Sequence, residues 1–215
     1  MGDNKHRTGF NRHLLHPWAE LGNLGHDEET TVISHGRGAY VYDSDGNKLL
    51  DGPGGMWCMQ TGYGRKEIAN AVSEQIIELG YSTTFSHIHH SEVELAKRIA
   101  HETPGDLDRV FFTTGGSTAV DSAIRLCQLA SNIKDKPHRK HILTRHKAYH
   151  GSTYLAASVS GKERDKTAMD VSRENIHFLS APCYFYYPEF DTEEEFCDHL
   201  IAELENMILR AIIGH

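Results

Sequence analysis

The sequence predicts an α/β fold in which a mostly parallel sheet is flanked by helices. Three apolar stretches have the length of strands: Arg109–Thr114, His141–Arg145 and Ile176–Ser180. Long segments of helical periodicity separate these stretches. Because two parallel strands need such a crossover connection, we expect the strands to run parallel and the helices to cover the faces of the sheet.

The N-terminal part of the chain has a different pattern. Prolines and glycines interrupt any period over residues 1–30, which we expect to form an arm. Two alternating runs then flank Asp45-Gly46, a dipeptide that is a strong signal for a β-hairpin. A glycine-rich stretch over residues 52–55 follows and leads directly to Trp57.

Three helices can be delimited from their apolar faces and end signals. Residues 65–79 have helical spacing, and Gly80 stands where a C′ residue is expected. Ser91 with Glu94 predicts a capping box for the next helix. Thr192 with Glu195 predicts the same motif at the start of the last helix.

Composition excludes several classes of function. The chain has 22 basic and 30 acidic residues, and this net charge of −8 argues against a general nucleic-acid binder. Its apolar runs are too short to cross a bilayer, and no secretion signal is recognisable at the N-terminus. The four cysteines form no CxxC pair and are expected to be reduced thiols in a cytoplasmic protein.

A group of histidines at His87, His89 and His90 invites a metal hypothesis. Cysteine or carboxylate partners at ligand spacing are missing nearby in the sequence. We therefore interpret this segment as a solvated loop and expect no metal.

The triplet Gly115-Gly116-Ser117 leaves a predicted strand and opens a predicted helix. Such a turn exposes backbone N–H groups at the positive end of the helix dipole, where a phosphate can approach glycine closely. No lysine follows as in a Walker A loop. The alternative is a sharp turn with Ser117 as an ordinary N-cap, and the triplet alone leaves both open.

A second candidate segment follows the strand His141–Arg145. Because ligands of open parallel sheets gather at the carboxyl ends of strands, Tyr149, His150 and Gly151 are expected at the same edge as the glycine turn. The tyrosine ring can cover a flat ligand. The alternative is that Tyr149 only anchors its loop, which is the commoner fate of a single tyrosine.

Four blocks of sequence, in order, resemble the class III aminotransferases that depend on pyridoxal 5′-phosphate (PLP) and have fold type I. The blocks are GAYVYDSDGNKLLDGPGGMWCMQTGYG, VFFTTGGSTAVDSAIRL, HKAYHGST and APCYFYYP. The first and last blocks are most similar to the omega-amino acid:pyruvate branch. The resemblance implies that residues 1–64 belong to a small domain and that residues 65–215 form the first, incomplete part of the large PLP-binding domain.

The resemblance also assigns roles to single residues. Gly116 and Ser117 match the pair that holds the cofactor phosphate. Tyr149 matches the aromatic residue stacked on the pyridine ring, with His150 beside it. Substrate-binding positions of the family match Trp57 and Phe85, the latter close to a dimer interface. Thr118 stands where many members have glutamate, so a side-chain role is not carried over there.

The family's catalytic residues have no match in this chain. The lysine that forms the Schiff base and the aspartate at the pyridine nitrogen lie in the second half of much longer proteins. Lys147 occupies a surface-loop position and is interpreted as a solvated lysine. The resemblance thus implies the N-terminal portion of a homodimeric, or dimer-of-dimers, enzyme that acts on small amines and keto acids. The alternative is a non-catalytic α/β module that binds a phosphorylated small molecule at Gly116-Ser117.

Overall fold

The computed structural model describes residues 14, 15, 17 and 31–213. They divide into two compact units, with the boundary between Val93 and Glu94. The predicted N-terminal arm lies almost wholly outside the described residues. The domain boundary after residue 64 stays a prediction.

The first unit contains a three-stranded antiparallel sheet in the order β1-β2-β3. Its strands are β1 (Ile33–Arg37), β2 (Tyr40–Asp43) and β3 (Lys48–Leu50). The predicted hairpin at Asp45-Gly46 is confirmed, since β2 and β3 pair across it. The Asp43 carboxylate accepts the amides of Asp45 and Asn47 at 2.9 and 2.8 Å, and Gly46 takes a left-handed φ of 85°.

Two helical segments follow the sheet: α1 (Gly54–Trp57), a single turn, and α2 (Lys66–Leu79). The bounds of α2 agree with the predicted helix. Gly80 is the C-cap of α2, with a right-handed φ of −74°, so it stands one position before the predicted C′. Here the chain leaves the helix through ordinary backbone angles, which other residues could also adopt.

Helix α3 (His90–Glu102) begins one residue before the serine that was expected to cap it. The Ser91 hydroxyl donates to Gln75 Oε1 at 3.1 Å, and Glu94 pairs with Arg98. The predicted capping box is therefore wrong. The His89 ring instead accepts the Ser91 amide at 3.3 Å, a contact with no recognised sequence signature.

The second unit alternates helices with a parallel pair of strands. Its elements are α4 (Gly116–Ile133), β4 (Ile142–Arg145), α5 (Tyr154–Val159), β5 (Ile176–Leu179) and α6 (Glu193–Ile213). Strands β4 and β5 pair in parallel, with Ile142 opposite Ile176 and Arg145 opposite Leu179. The predicted parallel pairing is confirmed for these two strands.

The third predicted strand, Arg109–Thr114, does not form a strand ladder with any described residue. Phe111 in this segment is 69% exposed. The strand prediction is thus not met by the described structure, because an apolar run becomes a strand only where a neighbour accepts its backbone hydrogen bonds.

The main apolar core lies in the second unit, where α6 packs on β5. Its buried apolar side chains are Ala156, Val159, Leu179, Ala181, Phe196 and Leu200. Phe196 lies against the rings of Tyr184, Tyr187 and Phe190, with centroids 4.7–6.0 Å apart. This cluster anchors the N-terminal half of α6 and fixes the parallel pair whose carboxyl end carries the candidate site.

Candidate cofactor site

Helix α4 begins with backbone donors that remain unpaired within the described part of the chain. Its N-cap is Gly115, and no side chain caps it there. The first backbone bond of this turn runs from the Ala119 amide to the Gly115 carbonyl at 2.9 Å. The amides of Gly116, Ser117 and Thr118 donate to no acceptor among the described residues. Three N–H groups therefore concentrate the positive end of the helix dipole at one point.

The space in front of this helix start is open. A Cβ placed on Gly115 or Gly116 would meet no atom of the described structure within 4 Å. Packing within the chain therefore does not require glycine at these positions, whereas close approach of a ligand to the backbone would. The hydroxyls of Thr113 and Thr118 both donate to the Gly115 carbonyl, at 3.1 and 2.7 Å, and hold the turn in place.

Ser117 is not an N-cap, so that alternative is wrong. It lies inside the first turn of α4, and its Oγ accepts the backbone amide of Ser152 at 3.0 Å. The hydroxyl keeps its own proton available as a donor. The glycine turn and the loop after β4 are thus joined directly, as their expected position at one edge of the sheet required.

Glycine at position 151 allows this close approach. Gly151 has a φ of 134°, and a Cβ there would lie 2.8 Å from Ser117 Cα and overlap its side chain. Just beyond, the Thr153 hydroxyl and the Ala156 amide both donate to Asp121 Oδ1 at 2.9 Å. The loop over residues 149–153 is therefore fixed against the first two turns of α4.

Tyr149 presents its ring at the surface of this unit, with 49% of the residue exposed. Its Oη is hydrogen-bonded to Ser152 Oγ at 2.9 Å. The Lys162 ammonium lies over the ring, 5.5 Å from its centroid. The ring is held at its tip and about half of the residue is exposed, which fits both the stacking role and the anchoring role.

His150 faces the strand rather than the helix start. Its amide donates to Ser160 Oγ at 2.9 Å, and its Nε2 lies 3.2 Å from the Thr144 hydroxyl at β4. The Thr144 hydroxyl in turn donates to the Val159 carbonyl at 2.7 Å. These contacts orient the loop that carries Tyr149.

Lys147, which the sequence places near the site, is exposed. Its Nζ lies 3.2 Å from the centroid of the Tyr186 ring, so the ammonium is engaged in a cation–π contact. Its backbone has a φ of 65° and its amide donates to the Gly161 carbonyl at 2.9 Å.

Trp57, in the first unit, ends an unusual turn. All four residues of α1 have φ values between 54° and 67°, including Met56 and Trp57. Left-handed angles cost roughly 1–2 kcal/mol per non-glycine residue, so this turn is strained. The Asp51 carboxylate stabilises it by accepting the Gly55 amide and the Tyr63 hydroxyl, both at 2.7 Å. The hydrogen bond to Asp51 raises the pKa of Tyr63.

The two residues expected to bind substrate are both exposed aromatics of the first unit. Trp57 is 70% exposed and Phe85 is fully exposed. Large exposed aromatic residues commonly mark a ligand or partner surface. The residues expected to bind cofactor, by contrast, all lie in the second unit.

Sequence inspection missed two residues of the site. Ser152 and Asp121 hold the loop against α4. Both are common polar residues, and other residues of their segments carried the sequence signals. Their partners lie 35 and 32 residues away in sequence, so no local signal could identify them.

Within the described ranges, no three histidine, cysteine, aspartate or glutamate residues are grouped so as to hold a metal ion. Over the same residues, no helix combines the length and apolar character that a membrane span requires.

The geometry fits PLP on both of its distinctive parts. Unpaired amides at a glycine-lined helix start match a phosphate, and an accessible aromatic ring on the adjoining loop matches a pyridine ring. The two features are joined by the bond between Ser117 and Ser152.

Comparison with solved structures places this fold among transaminases. A PMP-bound aminotransferase from Vibrio fluvialis superposes with a TM-score of 0.84 at 32% identity, covering 92% of this chain and 44% of that chain. An (S)-enantioselective omega-transaminase from Thermomicrobium roseum superposes with a TM-score of 0.86 at 35% identity, covering 92% and 44%. The fold is therefore the N-terminal part of a fold type I PLP-dependent transferase.

Curated relatives agree with this fold. A diaminobutyrate–2-oxoglutarate transaminase from Halomonas elongata is 31% identical over 91% of this chain and 43% of its own length. A putrescine–pyruvate aminotransferase from Pseudomonas aeruginosa is 35% identical over 92% and 43%. The model of the class III aminotransferases matches residues 22–213, and the chain belongs to this PLP-dependent family. It spans less than half the length of these relatives.

Proposed function

We propose that this chain supplies the phosphate-binding and ring-stacking part of an aminotransferase. The enzyme moves an amino group from an omega-amino acid or amine to pyruvate or a similar keto acid by means of PLP. One observation carries the proposal: the unpaired amides at the start of α4 are joined through Ser117 to the loop of Tyr149.

In this proposal the amides of Gly116 and Ser117 bind the cofactor phosphate. The Ser117 hydroxyl accepts the Ser152 amide and donates its own proton to a phosphate oxygen. The helix dipole adds about 0.3–1 kcal/mol for an exposed anion, and more where water is partly excluded. Charge-assisted bonds of this kind position the cofactor without any side-chain cation.

Tyr149 covers one face of the pyridine ring, and His150 orients the loop on which Tyr149 stands. When bound, PLP supplies an electron sink that makes a proton shift at the amine-bearing carbon feasible. No residue of this chain is proposed as catalytic. The chain binds and orients the cofactor.

Trp57 and Phe85 are proposed as walls of the substrate pocket. The strained turn at Trp57 supports this role, because left-handed non-glycine residues persist where a function requires their orientation. Replacing Trp57 with glycine should change the ranking of kcat/KM among amines of different size. An unchanged ranking would instead favour a tryptophan at a domain seam.

We further propose a cytoplasmic homodimer or dimer of dimers. Full exposure of Phe85 supports a partner surface close to that residue. The four unpaired thiols of the chain support the location.

The test is an amino-transfer assay on the complete polypeptide encoded by the gene, purified with PLP. Putrescine and γ-aminobutyrate serve as donors, because relatives named for putrescine and γ-aminobutyrate are similar to this chain. Pyruvate and 2-oxoglutarate serve as competing acceptors. We expect alanine to form faster than glutamate. Faster formation of glutamate would show that 2-oxoglutarate, and not pyruvate, is the preferred acceptor. Binding of phosphate without the visible absorbance of PLP and without amino transfer would favour the non-catalytic module.

The variant Lys147→Ala tests whether the lysine nearest to Tyr149 in sequence serves as the Schiff-base lysine. Because its ammonium lies on Tyr186, we expect this variant to keep the visible absorbance of bound PLP and most of the activity. Loss of both would show that Lys147 holds the cofactor covalently, contrary to the proposal.

A further inference from the structure

Ser152 makes one hydrogen bond at each end of the candidate site. Its backbone amide donates to Ser117 Oγ at 3.0 Å, and its side-chain Oγ lies 2.9 Å from Tyr149 Oη. We propose that Ser152 is a positioning residue that couples the Tyr149 ring to the phosphate-binding turn of α4. This inference rests on the proposed function for the roles of Ser117 and Tyr149.

About half of Tyr149 is exposed, so a directional contact at the tip of the ring helps to define its side-chain orientation. The hydrogen bond to Ser152 fixes the tip of the ring. The Lys162 ammonium lies over one ring face, 5.5 Å from the ring centroid.

Ser152 itself is held on both sides along the chain. Gly151 is seated against Ser117 so closely that a Cβ would overlap it. Thr153 donates to the Asp121 carboxylate at 2.9 Å. The side chain of Ser152 therefore leaves a backbone that is fixed relative to α4, and the direction it imposes on Tyr149 is fixed as well. A ring oriented before the ligand arrives loses less entropy on binding.

The two bonds of Ser152 can be cut separately. Ser152→Ala keeps the backbone bond to Ser117 and removes only the bond to Tyr149, whereas Ser117→Ala does the reverse. Ser152→Thr keeps a hydroxyl at the same position and should restore the bond. Thr167→Ala removes an exposed hydroxyl elsewhere in the same unit and serves as the control.

The first experiment needs no cofactor. The complete apoprotein is labelled with 13C at the tyrosine Cζ, and the Tyr149 signal is assigned by its absence in Tyr149→Phe. We expect this signal to shift in Ser152→Ala, to return in Ser152→Thr and to stay unchanged in Thr167→Ala. An unchanged Tyr149 signal in Ser152→Ala would overturn the proposal.

The second experiment measures the PLP dissociation constant by equilibrium dialysis. Ser152→Ala and Tyr149→Phe should each weaken binding by about 2–10-fold, the value of one neutral hydrogen bond. Because both variants delete the same bond, the double variant should be no weaker than the weaker single variant. If the fold-losses of PLP affinity in the two single variants multiply in the double variant, the proposed coupling is wrong.

The two experiments separate this inference from the proposed function. If the wild-type protein does not bind PLP, or if Tyr149→Ala leaves the dissociation constant unchanged, the proposed function is wrong. The tyrosine signal still reports on the bond itself under those conditions. If PLP binds and Tyr149→Ala weakens it while Ser152→Ala does not, only the positioning role is wrong.

Discussion

Helices α4 and α6 begin in opposite ways. At α6 the Thr192 hydroxyl accepts the Glu195 amide at 3.1 Å, and the Glu195 carboxylate accepts the Asp191 amide at 3.2 Å. Three glutamates also stand in the first turn of α6. At α4 the N-cap is glycine, the first turn carries no acidic residue, and no described side chain caps it.

The N-terminus of α6 is capped by its own side chains, whereas the N-terminus of α4 has backbone donors available for a ligand. The Thr192 side chain satisfies one orphan amide of α6, and three glutamates in the first turn offset the positive end of its dipole. The amides of α4 keep their capacity to bind an external anion. A helix start whose donors are unpaired beside two glycines thus indicates binding, whereas a start with Thr and Glu three residues apart indicates stability.

The largest effect is expected for Gly151→Ala, which would push the loop away from α4. The new Cβ would overlap Ser117, and the φ of 134° disfavours any side chain. Strain and overpacking each cost about 1–3 kcal/mol, so we expect a stability loss of about 3 kcal/mol or more, together with loss of bound PLP. Urea unfolding and dialysis of the complete protein measure the two effects.

Gly105→Ala is the matched control for that variant. Gly105 also has a positive φ, of 67°, but a Cβ there would meet no described atom within 4 Å. We expect about 1 kcal/mol of destabilisation from the backbone alone, with PLP affinity unchanged. Equal effects of the two glycine variants would contradict the role given to the contact with Ser117.

Ser117→Ala should give the next largest effect, on cofactor affinity more than on folding. The variant loses a charge-assisted bond to the phosphate, which is worth about 1.5–3 kcal/mol, and also the acceptor of the Ser152 amide. We expect PLP to dissociate at least 10-fold more readily in equilibrium dialysis. An unchanged dissociation constant would remove Ser117 from the site.

Tyr149→Ala and Tyr149→Phe should differ from each other. Truncating an aromatic ring that stacks on a nucleobase costs about 1–3 kcal/mol, and we expect a similar loss of PLP affinity for alanine here. Phenylalanine keeps the ring area and loses the hydrogen bond to Ser152. If dialysis gives the same dissociation constant for both variants, Tyr149 anchors its loop and does not stack.

Thr192→Ala should give the smallest effect and the opposite pattern to Ser117→Ala. Removing the cap of α6 should lower the free energy of unfolding by about 1 kcal/mol, as for other threonine caps. Because α6 starts with its own side chains as partners, PLP affinity should not change. A weaker PLP affinity in Thr192→Ala would contradict the different roles given to the N-termini of α4 and α6.

Local chemistry made much of the fold predictable. Asp45-Gly46 specifies its hairpin through a positive φ at glycine, and Thr192 with Glu195 specifies the start of α6. The same motif failed at Ser91, because a hydroxyl three residues before a carboxylate caps a helix only if the helix begins there. At Ser91 the neighbouring His89 and Gln75 offered other partners.

The candidate site was predictable as two segments but not as one arrangement. Gly116 and Tyr149 stand out in the sequence because a glycine-rich turn and an aromatic residue each follow a strand-like run. The link between them runs through Ser117 and Ser152, which are 35 residues apart. Either serine could have bonded to water or to its own backbone with equal sequence justification.

The sequence by itself determined the hairpin at Asp45-Gly46, the start of α6 and the family to which the blocks belong. These follow from residue type and short spacing, which act over a few residues. Only the tertiary structure decided that Gly151 brings Ser152 onto Ser117. The physical reason is that hydrogen bonds and close packing between distant segments depend on which surfaces meet, and residue spacing along the chain does not specify that.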